Sequence, residues 1–277
     1  MGSASLRHGI GRSYLAFQGV LFGVPVALLA VTSLRRYELG QPSGSLTLAN
    51  YQAVLESDVF VPALGRSIAL ASIIATLASI VALATVLGTW RLAWRRARRV
   101  ILLGCALMFF AGMVPRTFAN EFLLSAHGPL GGVWGALGVG SGGSALYTGF
   151  GIVLASLPLI TPLCIVMLYV ARQAVPEEYL EAGRDLSASW WRLQWQIVVP
   201  LMRPGLIVSL VVSLILALGD VVVVDLVGGS QVYTAALCIL DYVKIDDWGM
   251  AAAASSIVLF VVTAVIGGAT WLLLRCL

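Results

Sequence analysis

Six stretches of the chain, at about residues 15–34, 67–90, 100–124, 149–171, 204–227 and 250–274, are predominantly apolar over about 20 or more residues each. At 1.5 Å of rise per residue, about 20 such residues make a helix long enough to cross the roughly 30 Å hydrocarbon core of a bilayer. Only structures that satisfy their own backbone can lie there, so the runs predict helices. The expectation is an all-α integral membrane protein with six transmembrane helices. Composition agrees, since 60% of the 277 residues are hydrophobic and 11% charged, with a mean hydropathy of +0.96. Residues 1–277 read as a single membrane domain, with an N-terminal helix and outer connector at 1–66 and core helices at 67–277.

Orientation comes from the arginines. The first apolar run follows Arg7 and Arg12. It is longer than the roughly 7–15-residue apolar stretch of a secretory signal and ends without a small-residue cleavage site, so it reads as an uncleaved first helix. With a cytoplasmic N-terminus, the inner segments hold Arg7, Arg12, Arg91, Arg95, Arg96, Arg98, Arg99, Arg172, Arg184, Arg192, Arg203 and Arg275, leaving Arg35, Arg36, Arg66, Arg116 and Lys244 to the outside and the membrane. This is the bias that orients membrane proteins. The net charge of +4 and the pI near 9.0 follow from that topology, and "RLAWRRARR" reads as an anchor rather than an RNA-binding patch. Cys105, Cys164, Cys238 and Cys276 are scattered and His8 and His127 isolated, so no metal site is expected.

The outer connectors are distinct. Within residues 35–66, "LTLANYQAVLES" has the apolar spacing of a short amphipathic helix. The glycine-rich "SAHGPLGGVWGALGVGSGGSALYTG" has no Gly-Lys-Ser/Thr ending and no preceding strand, which argues against a nucleotide loop and for a flexible or tightly packed one. In "GGSQVYTAALCILDYVKIDDWG" the apolar runs are too short to span, and the segment reads as a re-entrant or interfacial helix, or a solvated loop, carrying Asp241, Asp246 and Asp247. Pro158 and Pro162 share nearly one face of the fourth run and predict a kink.

Between the fourth and fifth runs stands "VPEEYLEAGRDLSASWWRLQWQIVVPLMRPG", residues 175–205, dense in charge and aromatic rings. Pro176 stands where a first helical residue would, and Glu177 and Glu178 follow in the first turn, where acids complement the helix dipole. Ser187 or Ser189 can cap a second helix starting near Trp190. Isolated helices this short are marginal in water, so this pair is expected to pack against another protein.

This segment resembles the signature loop of the permease subunits of binding-protein-dependent ABC importers: Glu-Ala-Ala, three residues, Gly, nine residues, Ile-x-Leu-Pro. Here it reads Glu181-Ala182-Gly183, then Arg184, Asp185 and Leu186, then Ser187, nine residues, and Ile197-Val198-Val199-Pro200. The spacing is intact, with Gly183 for the second alanine, Ser187 for the glycine and Val199 for the leucine; Ser187 replaces the residue best able to take a positive φ. The resemblance covers about residues 60–275 and implies a type I importer permease fold in a bacterial cytoplasmic (inner) membrane, with the loop 173–203 as a coupling segment. It implies that Glu178, Glu181, Ala182, Gly183, Asp185, Ser187 and Pro200 serve coupling to an ATP-binding subunit. Glu181 would be the polar anchor, Ala182 and Gly183 would permit close approach, Ser187 would make the turn, and Pro200 would end the second helix. It further implies that the chain is not itself an enzyme and binds no cofactor; ATP and Mg would be bound by the partner ATPase dimer. The other implied partners are a second permease subunit and a periplasmic solute-binding protein. "LILALGDVVVVDLVGGSQVYTAALCILDYVK" is similar to the polyamine (spermidine/putrescine)-type branch, whose relatives import opines or aminoalkylphosphonates.

Charges within the apolar runs are costly and suggest a pathway or an internal pair. Asp220 lies sixteen residues after Pro204 and Arg116 sixteen after Val100 on helices running the same way, so unbroken helices would set both at similar depth, toward the outer face. Asn120 shares the face of Arg116, whereas Asp225 points away from Asp220. Asp220, Arg116, Asn120 and Asp225 are the candidate pathway residues, with an Asp220–Arg116 structural pair as the alternative. Asp241, Asp246 and Asp247 are candidates for an outer gate or a binding-protein contact. A stand-alone secondary transporter or channel would leave the helix pair at 175–205 unexplained. A membrane enzyme lacks its metal cluster, Ser-Lys pair or cofactor loop.

Overall fold

A computed structural model describes residues 2–38, 41–43, 46–91, 95–110, 112–136, 138, 144–229 and 231–276. The elements are α1 (Gly2–Ser33), the antiparallel strands β1 (Arg36–Glu38) and β2 (Gln41–Ser43), α2 (Ala49–Leu55), α3 (Phe60–Arg91), α4 (Arg95–Phe110), α5 (Met113–Leu124) and α6 (Gly131–Ala136). They continue with α7 (Gly149–Gln173), α8 (Glu177–Asp185), α9 (Trp190–Leu193), α10 (Val199–Leu201), α11 (Arg203–Leu218), α12 (Val221–Val223), α13 (Ala235–Lys244) and α14 (Trp248–Cys276). Two π-helical turns, Gln194–Val198 and Val224–Gly228, join α9 to α10 and follow α12.

The chain forms two compact units, residues 1–64 with 238–261, and residues 65–237 with 262–277. In the first, the connector folds as expected into a short helix, α2. Its buried Asn50 donates from Nδ2 to the carbonyls of Ser33 (2.9 Å) and Arg35 (2.8 Å), satisfying groups left open where α1 ends. In the second, α7 is the hub, packing against α4, α5, α11 and the turn Val224–Gly228. Thr148 caps it by accepting from Gly151 N at 3.0 Å, and it runs unbroken through Pro158 and Pro162.

Among the described residues, three helices are individually long and apolar enough to cross a membrane: Phe60–Trp90, Gly149–Gln173 and Trp248–Arg275. A fourth candidate is the pair Trp190–Leu201 and Arg203–Leu218, bent by 68°. The first apolar run lies in α1, whose apolar stretch is Phe17–Ser33 among the residues described with their side chains. Two runs expected as single helices are broken. The third divides into α4 and α5 around Gly112, with Pro115 inside the first turn of α5, where its missing N–H costs nothing. The fifth stops at Leu218, where Gly219 and Asp220 interrupt it.

Candidate functional site

The helix pair after α7 is built from local signals. Pro176, with φ −62° and ψ 134°, occupies the N-cap of α8, one position earlier than its expected place as first helical residue; Glu177 and Glu178 fill the first turn. α8 buries Leu180 and Gly183 and exposes Glu178, Tyr179, Glu181, Ala182, Asp185 and Leu186. Burying the Leu180 side chain is worth about 1.5–3 kcal/mol and helps to seat a nine-residue helix that water alone would not hold.

A Cβ on Gly183 would overlap Leu193 Cδ2, so the close approach it permits is to Leu193 of this same chain. Ala182 remains on the open face. That face carries three carboxylates, Glu178, Glu181 and Asp185, interleaved with Tyr179 (54% exposed) and Leu186 (83% exposed).

The turn between the two helices explains why the loop signature carries glycine where this chain has serine. Ser187 has φ 58°, the left-handed region. Its N–H donates to Arg184 O at 2.8 Å, and Ala188 N–H donates to Gly183 O at 3.1 Å, the two bonds of a Schellman ending. A left-handed residue with a side chain costs about 1–2 kcal/mol. Ser189 then caps α9, accepting from Arg192 N at 3.4 Å. Trp190 and Trp191 stack edge-on at 4.9 Å, and Trp191 and Trp195 are more than half exposed. Pro200 does not end the second helix: the π turn Gln194–Val198 leads into α10, and the bend follows at Met202. Proline's missing N–H is tolerated because Pro200 lies at the start of α10, directly after the π turn.

Two residues noticed in the sequence only as topology markers or not at all sit beneath this pair. Arg172, in the last turn of α7, is 2% exposed; its guanidinium carbon lies 4.9 Å from the centre of the Trp90 ring, and Nη2 lies 3.7 Å from Glu177 Oε1. Trp90 also packs on Tyr169 at 5.0 Å. The signal was an arginine one turn before an acidic helix start, hidden among arginines that served to orient the chain.

The candidate pathway residues fall into different environments. Asp220 is 5% exposed; Oδ1 caps α12 by accepting from Val223 N at 3.1 Å, while Oδ2 has no hydrogen-bond partner among the described protein groups. It lines a small cavity of about 10 Å³ with Ser67, Ser156 and Thr234, whose Oγ1 is likewise unpartnered. Arg116 makes no ion pair with Asp220 within 4.0 Å among the described residues; its Nη1 donates to Met108 O at 2.9 Å, closing the end of α4. Asn120 Nδ2 donates to Ala155 O of α7 at 3.0 Å, and Asp225 is exposed in the π turn. The equal-depth expectation for Asp220 and Arg116 presumed unbroken helices, which Gly112 and Gly219 interrupt.

Asp241, Asp246 and Asp247 have local roles. Asp241 pairs with Lys244 at 3.2 Å, Asp246 takes φ 59° where α13 ends, and Asp247 caps α14 by accepting from Met250 N at 3.0 Å. Asp247 also lines an open polar pocket of about 210 Å³ with Arg36, Tyr37 and Asn50. The segment is therefore a ten-residue helix, too short to span, as expected.

Residues 69–275 match the family model described as "Binding-protein-dependent transport system inner membrane component". Curated relatives include the molybdenum transport system permease protein ModB of Azotobacter vinelandii, 31% identical over 58% of this chain and 73% of the relative. The spermidine/putrescine transport system permease protein PotB of Escherichia coli K12 is 29% identical over 76% of each chain. Among solved structures, a chain of a bacterial ABC transporter involved in the import of the acidic polysaccharide alginate superposes with a TM-score of 0.78 at 14% identity, covering 98% of this chain and 99% of that one. At that identity the likeness is one of fold.

Proposed function

The chain belongs to the family of inner membrane components of binding-protein-dependent transport systems, and from that premise we propose that α8 docks on a separate ATP-binding subunit while the membrane helices form half of a route for a small organic solute. That it is an ABC importer permease subunit with polyamine-type relatives follows from the family and from those relatives. The division of labour within it is our reading. Six spans, counting the two broken runs as one crossing each, a cytoplasmic N-terminus and the loop 173–203 on the cytoplasmic side complete the topology. The partners are an ATPase dimer that binds ATP and Mg, a second permease subunit and an extracytoplasmic solute-binding protein.

The observation that carries the reading is the face of α8. Glu178, Glu181, Ala182 and Asp185 are exposed beside Tyr179 and Leu186, on a helix whose other side is held by Leu180 and Gly183. A polar rim around exposed apolar side chains is how a docking surface is composed. Ser187 and Pro200 shape the turn and the approach to the bend, outside the docking face itself.

For the route, we assign Asp220, Asn120 and Asp225 to the pathway with Arg116 beside them, and Asp241, Asp246 and Asp247 to the outer gate or the binding-protein contact. A polyamine or related amine is the proposed solute, supported by the acids on this side of the chain and by the PotB relative. A zwitterionic or anionic solute is the second reading, favoured by Arg116 and by the molybdenum-transport relative. Uptake of labelled putrescine and spermidine by cells with and without the gene separates them. Equal uptake in both strains removes the polyamine reading and leaves the importer assignment standing.

A further inference from the structure

We propose that Arg172 is a positioning residue that makes α8 and the end of α3 move as one body, so that a push on α8 reaches the membrane helices. The inference rests on the reading of α8 as the docking helix. An arginine that merely marks topology carries its head out to the interface and water. Arg172 does the opposite, being 2% exposed. Its guanidinium lies against the Trp90 ring of α3 at 4.9 Å and reaches Glu177, the first residue of α8, at 3.7 Å.

Trp90 is in turn packed on Tyr169, one turn earlier in α7 than Arg172. Three elements thus meet at one planar cation. A planar guanidinium can stack on a ring with its face while its edge addresses a carboxylate, a division that a lysine ammonium cannot reproduce. The covalent link alone, residues 174–176, leaves the direction of α8 to backbone torsions; the ion pair and the ring contact fix it. Glu177 is 59% exposed, so a docked subunit that covers it would remove the water that competes for Arg172 and tighten the link.

The test is a spin-label distance measurement on the full importer, with native cysteines replaced and labels at Arg184→Cys on α8 and Ala84→Cys on α3. It is made without nucleotide and with Mg-ATP and vanadate. One narrow distance, the same in both states, is expected for the otherwise unsubstituted chain. Arg172→Met should broaden the distribution roughly twofold or more and make it differ between states, and Arg172→Lys should restore it in part. Glu177→Gln, at an exposed position, should broaden it as well and serves if Arg172→Met fails to insert. Distributions unchanged in both variants, with the ATPase still bound, overturn the inference alone. An unsubstituted chain that retains no ATPase subunit overturns it together with the docking reading.

Discussion

Two interruptions of helix in this chain are finished in opposite ways. Where α8 turns into α9, the turn is closed by local partners: Gly183 O and Arg184 O accept from Ala188 and Ser187, and Ser189 caps the next helix. The surface around that turn is open. Where α11 stops before α12, Asp220 caps the next turn with one oxygen, and its other oxygen and Thr234 Oγ1 are buried without a hydrogen-bond partner among the described protein groups. A buried carboxylate oxygen left without a partner costs on the order of several kcal/mol. Under the proposed function, the segment offered to another protein has its turn closed locally and its face uncovered, and the segment assigned to the route keeps its cost inside.

The comparison can be broken most forcefully at Gly183. Gly183→Trp drives a side chain into Leu193 and should unseat α8, with overpacking worth about 3 kcal/mol and hence a roughly 100-fold loss of ATPase retention. Membrane insertion should be unaffected; co-purification with the ATPase after membrane extraction checks both. At the other interruption, Asp220→Asn keeps the oxygen that accepts from Val223 and removes the buried charge. Uptake should fall about 10-fold or more while thermal stability holds or rises. Asp220→Ala removes the charge and the cap together, so it should be about 1 kcal/mol less stable than Asp220→Asn. Arg116→Gln and the charge-swapped double variant complete this test: a swap that restores uptake lost in both singles makes the pair structural and removes Asp220 from the route.

Ser187→Gly sharpens the contrast with a smaller effect. A residue without Cβ relieves the left-handed φ, so the chain should gain about 1 kcal/mol with docking intact, read from thermal unfolding in detergent. The smallest effect is expected from neutralising Asp241, Asp246 and Asp247 together. Stimulation of ATPase activity by loaded binding protein should fall about twofold at low ionic strength and less at high, because exposed charges are screened. Asn at position 247 retains the cap on α14.

What the sequence made legible follows the same division. The α8–α9 pair was readable because its determinants lie within a few residues: a proline and two acids at the start, serines at the turn, and a motif whose glycine position announced the positive φ that Ser187 adopts. The ends of the fifth run were not. Nothing in "LALGDVVVVDL" separates a continuous helix from one broken at Gly219, since glycine inside an apolar run is compatible with both. Likewise Asp220 and Asp225 look alike in sequence, and only packing against Ser67, Ser156 and Thr234 buries the first and leaves the second exposed. The inward seating of Gly183 on Leu193 carried no local sign, and the one sign of Arg172, an arginine one turn before an acidic helix start, says nothing of Trp90, because both depend on contacts between elements.

The docking of α8 is tested most directly by replacing Ala182, on its open face, with a photo-crosslinking amino acid in the assembled membrane complex, with the same label at the exposed Asp225 as a control. The account predicts a crosslinked product containing the ATP-binding subunit from position 182 and none from position 225. A complex that retains the ATPase yet gives no such product from position 182, or gives it equally from both positions, would contradict it.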